Sequence, residues 1–196
     1  MPTTAPATQP TTSPATLYRL SAVAGFLCAL ILLINAGRRG GVIANSDLTH
    51  VIAPLGEVFG LVVISGLYFR QRGRGGRLGL VGYAMNFVGM AGLIGAEFIL
   101  NLIFPALPAA QVTALLAGPT GAVFKVASLL FLVGAALFAA ALWRVALLPR
   151  PAVLLYALGC VPIGLRGVLP ALTLPIGLAG VSAALVWLSV ELLREK

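Results

Sequence analysis

The chain has 196 residues, 60% hydrophobic and 9% charged, with a mean hydropathy of +1.05. A water-soluble domain carries about 25% charged residues, so this composition lacks the polar surface to cover a soluble globule and places the chain among integral membrane proteins. The net charge of +8, from 13 Lys and Arg against 5 Asp and Glu, sits at the ends of apolar runs, where it orients a membrane protein and argues against nucleic acid as a partner.

Long apolar runs separated by short basic loops predict an all-α fold, a polytopic bundle of six transmembrane helices. A membrane barrel would instead alternate in segments of about ten residues. Residues 1–16 are rich in Thr, Pro and Ala and uncharged, a composition that builds no core and predicts a disordered tail. Arg19 follows a long tail and no small-residue cleavage site is evident, so the first apolar run is expected to be a retained anchor. That first span covers residues 17–36 and is followed by Arg38-Arg39-Gly40-Gly41. A short polar loop holds Asp47 and His50, the only histidine; His50 is expected to be an exposed or capping residue. The second span, 51–69, carries Pro54 in its first turn, where a missing backbone donor does little harm. Gly56 and Gly60 form a small-xxx-small pair that permits close helix approach, with Glu57 beside it.

The loop 70–77 contains four arginines, Arg70, Arg72, Arg74 and Arg77, a topology signal whose second use is contact with anionic headgroups. The third span, 78–104, is 27 residues long with one charge, Glu97. At 100° per residue, Tyr83, Asn86, Met90, Glu97 and Asn101 fall on one side, so an otherwise apolar helix carries one polar stripe that must face protein or a wet cavity. Its glycines at 82, 89, 92 and 95 suggest close packing on more than one side. Residues 106–119 are weakly amphipathic and predict a short helix at the interface. The fourth span, 121–143, begins near Lys125 and ends at Trp143-Arg144, an interface anchor. The fifth, 152–168, is short and interrupted by Pro162; the sixth, 169–192, precedes a charged tail at 193–196. Tyr68, Trp143 and Tyr156 suit an interface or helix packing. Cys28 and Cys160 both lie inside apolar runs and are expected to be buried, small and apolar, a disulfide requiring that their helices touch there.

Alternating six spans puts Arg19, Arg70, Arg72, Arg74, Arg77, Arg144, Arg150, Arg194 and Lys196 on one side, and Arg38, Arg39, Lys125 and Arg166 on the other. The positive-inside rule then places both termini in the cytoplasm. Glu57 and Glu97 each fall about 9–10 Å below the outer boundary, at the level of Lys125, Arg166, Asn35, His50 and Asn101. An ionised carboxylate at that depth needs a partner. The expected arrangement is an outer-half ionic network of Glu57, Glu97, Asn101, Lys125 and Arg166, with Glu97 paired to Lys125 or Arg166 and Glu57 to the remaining cation. Such a network either fixes helix register or lines a path.

The residue types exclude much chemistry. A single histidine provides neither bis-histidine haem ligation nor a multi-histidine metal site. No CxxC pair, nucleophile elbow, aspartyl dyad, lipid-phosphatase motif, phosphate loop or dinucleotide fingerprint is found. No catalytic residue, cofactor or metal is therefore assigned, although an acid-base pair of Glu57 and Glu97 stays open.

One stretch carries a resemblance. An apolar span ending in Trp143-Arg144, a short loop with Leu148-Pro149-Arg150, and a further apolar span make residues 120–160 similar to a segment of uncharacterised six-span bacterial membrane proteins classed as domains of unknown function. Those proteins also carry a polar residue in the second and third spans; the resemblance implies the architecture and no activity. The reading is a bacterial inner-membrane protein, multi-pass, with its polar network structural or lining a small-solute path. The alternatives are a proton- or ion-coupled transporter, a membrane enzyme using carboxylates on a lipid-like substrate, and a homo-oligomer or partner-bound anchor subunit; the bilayer itself is the one partner the composition requires.

Overall fold

The computed structural model describes residues 14–194, and among these the chain is all-α with no strand. The disordered tail expected for residues 1–16 lies, over 1–13, outside the described residues, as do 195 and 196 of the charged C-terminal tail; residues 14–16 form the first turn of a helix. The elements are α1 (Pro14–Arg39), α2 (Asp47–Ile52), α3 (Leu55–Gln71), α4 (Gly76–Phe98), a π-helical turn (Ile99–Ile103), a 3-10 turn (Phe104–Ala106), α5 (Ala109–Ala117), α6 (Pro119–Val145), α7 (Arg150–Gly164) and α8 (Thr173–Leu193).

Among the described residues, α1, α3, α4, α6, α7 and α8 form a closed ring in chain order, each packing on the next and α8 returning to α1. Short connections make neighbours antiparallel, so α1, α4 and α7 finish at the same end of the bundle where α3, α6 and α8 begin. Five helical stretches among the described residues are long and apolar enough to cross a membrane: Ala15–Arg39, Asp47–Gln71, Gly76–Ala106, Pro119–Val145 and Thr173–Leu193. The remaining ring helix, α7, has 15 residues, about 22 Å of helix against a hydrocarbon core of about 30 Å, so of the six spans expected, five are helices of spanning length and the other is a shorter apolar helix.

The seam between α4 and α6 is the closest in the ring. A Cβ on Gly82 or Gly89 would collide with the α6 backbone at Phe138 and Phe131, and one on Gly134 would collide with the α4 backbone at Asn86. Gly92 meets Ala127 on the same face, whereas Gly95 has nothing within 4 Å. This corrects the expectation of glycine-mediated packing on several sides of the third span: spacings of seven and three residues return to one face of a 3.6-residue helix, and that face belongs to α6. Gly56 packs on Ile31 and Leu32 of α1, and Gly60 on Met90 and Cys28.

Three boundaries differ from the sequence expectation. The second span is two helices, α2 and α3, broken at Ala53-Pro54, with Ser46 and Thr49 forming a reciprocal cap at the start of α2. The third span leaves α-helical geometry after Phe98, where the Asn101 side chain donates to the Glu97 carbonyl oxygen at 2.8 Å and the ladder widens into the π turn. The fifth span ends at Gly164 and the sixth begins at Thr173, so Arg166 sits in a connection and not inside a span. Cys28 and Cys160 are buried and free, without a disulfide.

Candidate functional site

The polar stripe expected on the third span faces inward: Asn86, Met90, Glu97 and Asn101 are buried and Tyr83 is half-buried. Two polar clusters grow from it. Near mid-bundle the Asn86 amide donates to the Tyr156 hydroxyl at 2.6 Å, tying α4 to α7, and Tyr83 stacks on Tyr68 while sharing a hydrogen bond with Ser65. At the end where α1, α4 and α7 finish lies the larger cluster.

Its centre is Glu97, with a side chain 5% exposed. The Arg166 guanidinium reaches in from the α7–α8 connection and bonds Oε1. On the opposite oxygen, Oε2 accepts from the Asn101 amide at 2.8 Å and lies 3.6 Å from Arg39. Asn101 is thus a relay: its amide nitrogen serves Glu97 while its oxygen accepts from Arg38 at 2.7 Å. The π turn puts that side chain where both contacts are made at once. Arg38 is buried and also donates to Asn35 at 2.9 Å and to His50 Nδ1 at 3.1 Å. Arginine carries only donors, so Nδ1 accepts and the His50 proton sits on Nε2. His50 is therefore half-buried and bonded, not the exposed or capping residue expected from its loop; the cap is Ser46.

Of the five residues grouped from sequence, Glu97, Asn101 and Arg166 meet as a network. Glu57 and Lys125 do not join it. Lys125 is exposed and forms no ion pair among the described residues; it lines a neighbouring groove of about 500 Å³ whose shared wall is Leu100 and Arg166. The pairing of Glu57 with a cation is not made either: its Oε2 is shut off from solvent with no hydrogen-bond partner among the described residues. Glu57 instead lines a small cavity of about 40 Å³ at the bundle centre, with walls from all six ring helices, including Cys28, Met90, Tyr156 and Cys160. The reason is reach. Arg166 and Arg39 are both captured by Glu97, and the cavity side of α3 faces apolar and sulfur-bearing residues.

Sequence reasoning missed Arg38 and Arg39, which it used as orientation signals. They occupy the last turn of α1, where cations offset the exposed carbonyls, and the same position brings them to Glu97 and Asn101. The signal was present in the level argument, because both lie on the side already assigned to Glu97.

The network is not closed on itself. Arg38, Arg39, Asn45, His50, Asn101 and Arg166, with Leu100 and Leu174 at the margin, line an open cleft of about 580 Å³. No carboxylate is among its lining residues; Glu97 lies behind the guanidiniums. At the opposite end of the bundle Arg74, Arg77 and Arg144 line a separate cleft of about 450 Å³. No protein-family model, curated protein or solved structure matches the chain.

Proposed function

We propose that this chain is a six-span protein of a bacterial inner membrane, with both termini cytoplasmic, whose outer-end polar network lines a ligand cleft accessible from outside the cell. The count of six rests on the ring, in which α7 packs between α6 and α8 as the long helices pack on their neighbours, and on the resemblance of residues 120–160 to six-span bacterial proteins. The orientation rests on the excess of arginine at the end opposite the network. The single observation that carries the function is that the network opens into the 580 Å³ cleft; a brace that only fixed register would close its charges on each other.

Leu174, half-buried in the first turn of α8, lines that cleft and gives the test. In Leu174→Cys, a small water-soluble thiol reagent added to intact cells should modify the new cysteine, while Cys28 and Cys160 stay silent in their buried positions. An introduced thiol that resists reagent until the protein is denatured overturns the ligand-facing reading in favour of a register brace.

A second reading, proton-coupled passage of a solute, is favoured by Glu57. Its carboxyl borders the central cavity without a cation partner, on the same α3 helix whose start lies at the cleft end. The cavity, at about 40 Å³, is too small for a lipid-like substrate, which leaves the carboxylate-enzyme alternative with the least support. Proton influx into proteoliposomes under a pH gradient, lost in Glu57→Gln, would establish this reading; equal influx in both would remove it.

A further inference from the structure

The chemistry of the cleft wall defines what it takes. Among the described residues, three guanidiniums, Arg38, Arg39 and Arg166, surround one carboxylate, Glu97, leaving an excess of two positive charges at the cleft. Arg38 is 8% exposed, held by Asn35, Asn101 and His50, and its Nε is buried without a partner among the described residues. That Nε is shut off from solvent, so what Arg38 gives the cleft wall is a fixed, desolvated positive charge. Arg39 and Arg166 keep side chains 29% and 18% exposed, so each can donate to a ligand while still facing Glu97. Arg39 and Arg166 supply donors to the cleft, and His50 lines it. Fork-shaped donors in excess, with no carboxylate on the wall, match an oxyanion, phosphate above all.

The neighbouring groove extends the description. It begins at the shared wall of Leu100 and Arg166 and continues along Phe124, Leu129, Leu165 and Val168, with Lys125 as its cation. A charged pocket running into an apolar groove is the shape of an amphiphile, head at the arginines and chain along α6 and the α7–α8 connection. We propose that the cleft binds a phosphate-headed amphiphile, an anionic lipid or a lipid-linked phosphate, with the phosphate between Arg38, Arg39 and Arg166 and the chain over Leu129 and Leu165. This rests on the reading that the cleft is open to ligand.

The test uses the full chain in a nonionic maltoside detergent, with binding measured by native mass spectrometry. The probes are short-chain phosphatidylglycerol, diacylglycerol with the same chains, and inorganic phosphate. Phosphatidylglycerol should bind at least about tenfold more tightly than either of the others, since diacylglycerol lacks the charge-assisted contact and inorganic phosphate lacks the apolar chain contacts, each carrying about 1.4 kcal/mol or more. Arg39→Gln, which removes only a long contact to Glu97, should abolish most of that preference, and Leu129→Ala should weaken phosphatidylglycerol while leaving phosphate unchanged. Equal binding of phosphatidylglycerol and diacylglycerol, or an unaltered preference in Arg39→Gln, overturns the phosphate site. Inorganic phosphate binding as tightly as phosphatidylglycerol overturns the amphiphile. With Leu174→Cys reactive, any of these failures leaves the open cleft standing; with Leu174→Cys inert, both readings fall together.

Discussion

Two inward-facing glutamates on adjacent helices have opposite standing, and their amide variants separate them. Glu97 is the anion that holds Arg166 and Arg39 and orients the Asn101 amide. Glu97→Gln leaves two guanidiniums facing a neutral group, and breaking a buried pair from one side costs more than the pair itself contributes. A loss of about 2–4 kcal/mol is expected, visible as a lower thermal midpoint in detergent. Glu57 has no cation within ion-pair distance among the described residues and an oxygen without a partner. Glu57→Gln should therefore shift the midpoint little in either direction. Equal losses for the two variants would show that Glu57 has a charge partner in solution. What the sequence made legible here was depth and side: Glu97 and Asn101 fall on one stripe because the 100° step is rigid. It did not fix which cation arrives. Arg side chains reach far enough that Arg38, Arg39, Lys125 and Arg166 were all candidates for one carboxylate, and the choice depends on where the α7–α8 connection and the end of α1 come to rest.

Helix seams sort by what a methyl group would meet. Gly89 and Gly134 interlock α4 and α6 backbone to backbone, and a Cβ at either position overlaps main-chain atoms that cannot rotate away. Gly89→Ala and Gly134→Ala should each destabilise by about 1–3 kcal/mol through forced separation of the two helices, despite the better helix propensity of alanine. Gly95 has no atom within 4 Å of an added Cβ, so Gly95→Ala should be neutral or stabilising by up to about 1 kcal/mol. Thermal midpoints of the three variants test this through their opposite signs; the same sign for all three would refute the α4–α6 seam. The existence of these helices was legible, since apolar runs of this length have few other folds in lipid. Their interruptions were less so. Pro54 looked harmless in a first turn, yet the helix has already begun at the Ser46 cap of α2, so Pro54 falls after a formed turn, where its missing donor breaks the run. The π turn at Ile99–Ile103 coincides with the Asn101 side chain donating to the Glu97 carbonyl, a contact that no periodicity encodes.

The ring as a body has two chemically distinct ends, and its orientation follows if α7 crosses. One end gathers Arg38, Arg39, His50, Asn101 and Arg166 around a carboxylate; the other gathers Arg74, Arg77 and Arg144 around a cleft without one. The positive-inside rule counts Lys and Arg and gives acidic residues little weight, so the larger number of arginines at the end of Arg74, Arg77 and Arg144 sets the orientation, whatever Glu97 offsets at one end and Glu191 at the other. Because α7 is 15 residues long, its crossing requires the bilayer to thin locally or the flanking residues to reach outward, at a modest cost per ångström. Arg150 over the Trp143 ring, 5.5 Å from its centroid, is placed for the second option: an aromatic and a cation at the interface just before the short helix. Single cysteines introduced at Val42, Arg72, Arg150 and Val168, all exposed connection or helix-end residues, resolve this with an impermeant maleimide, since Cys28 and Cys160 are buried. Val42→Cys and Val168→Cys should react in intact cells, and Arg72→Cys and Arg150→Cys only after lysis. If Val168→Cys reacted only after lysis, as Arg150→Cys does, α7 would lie against the bundle without crossing, and the chain would have five spans with its ends on opposite faces.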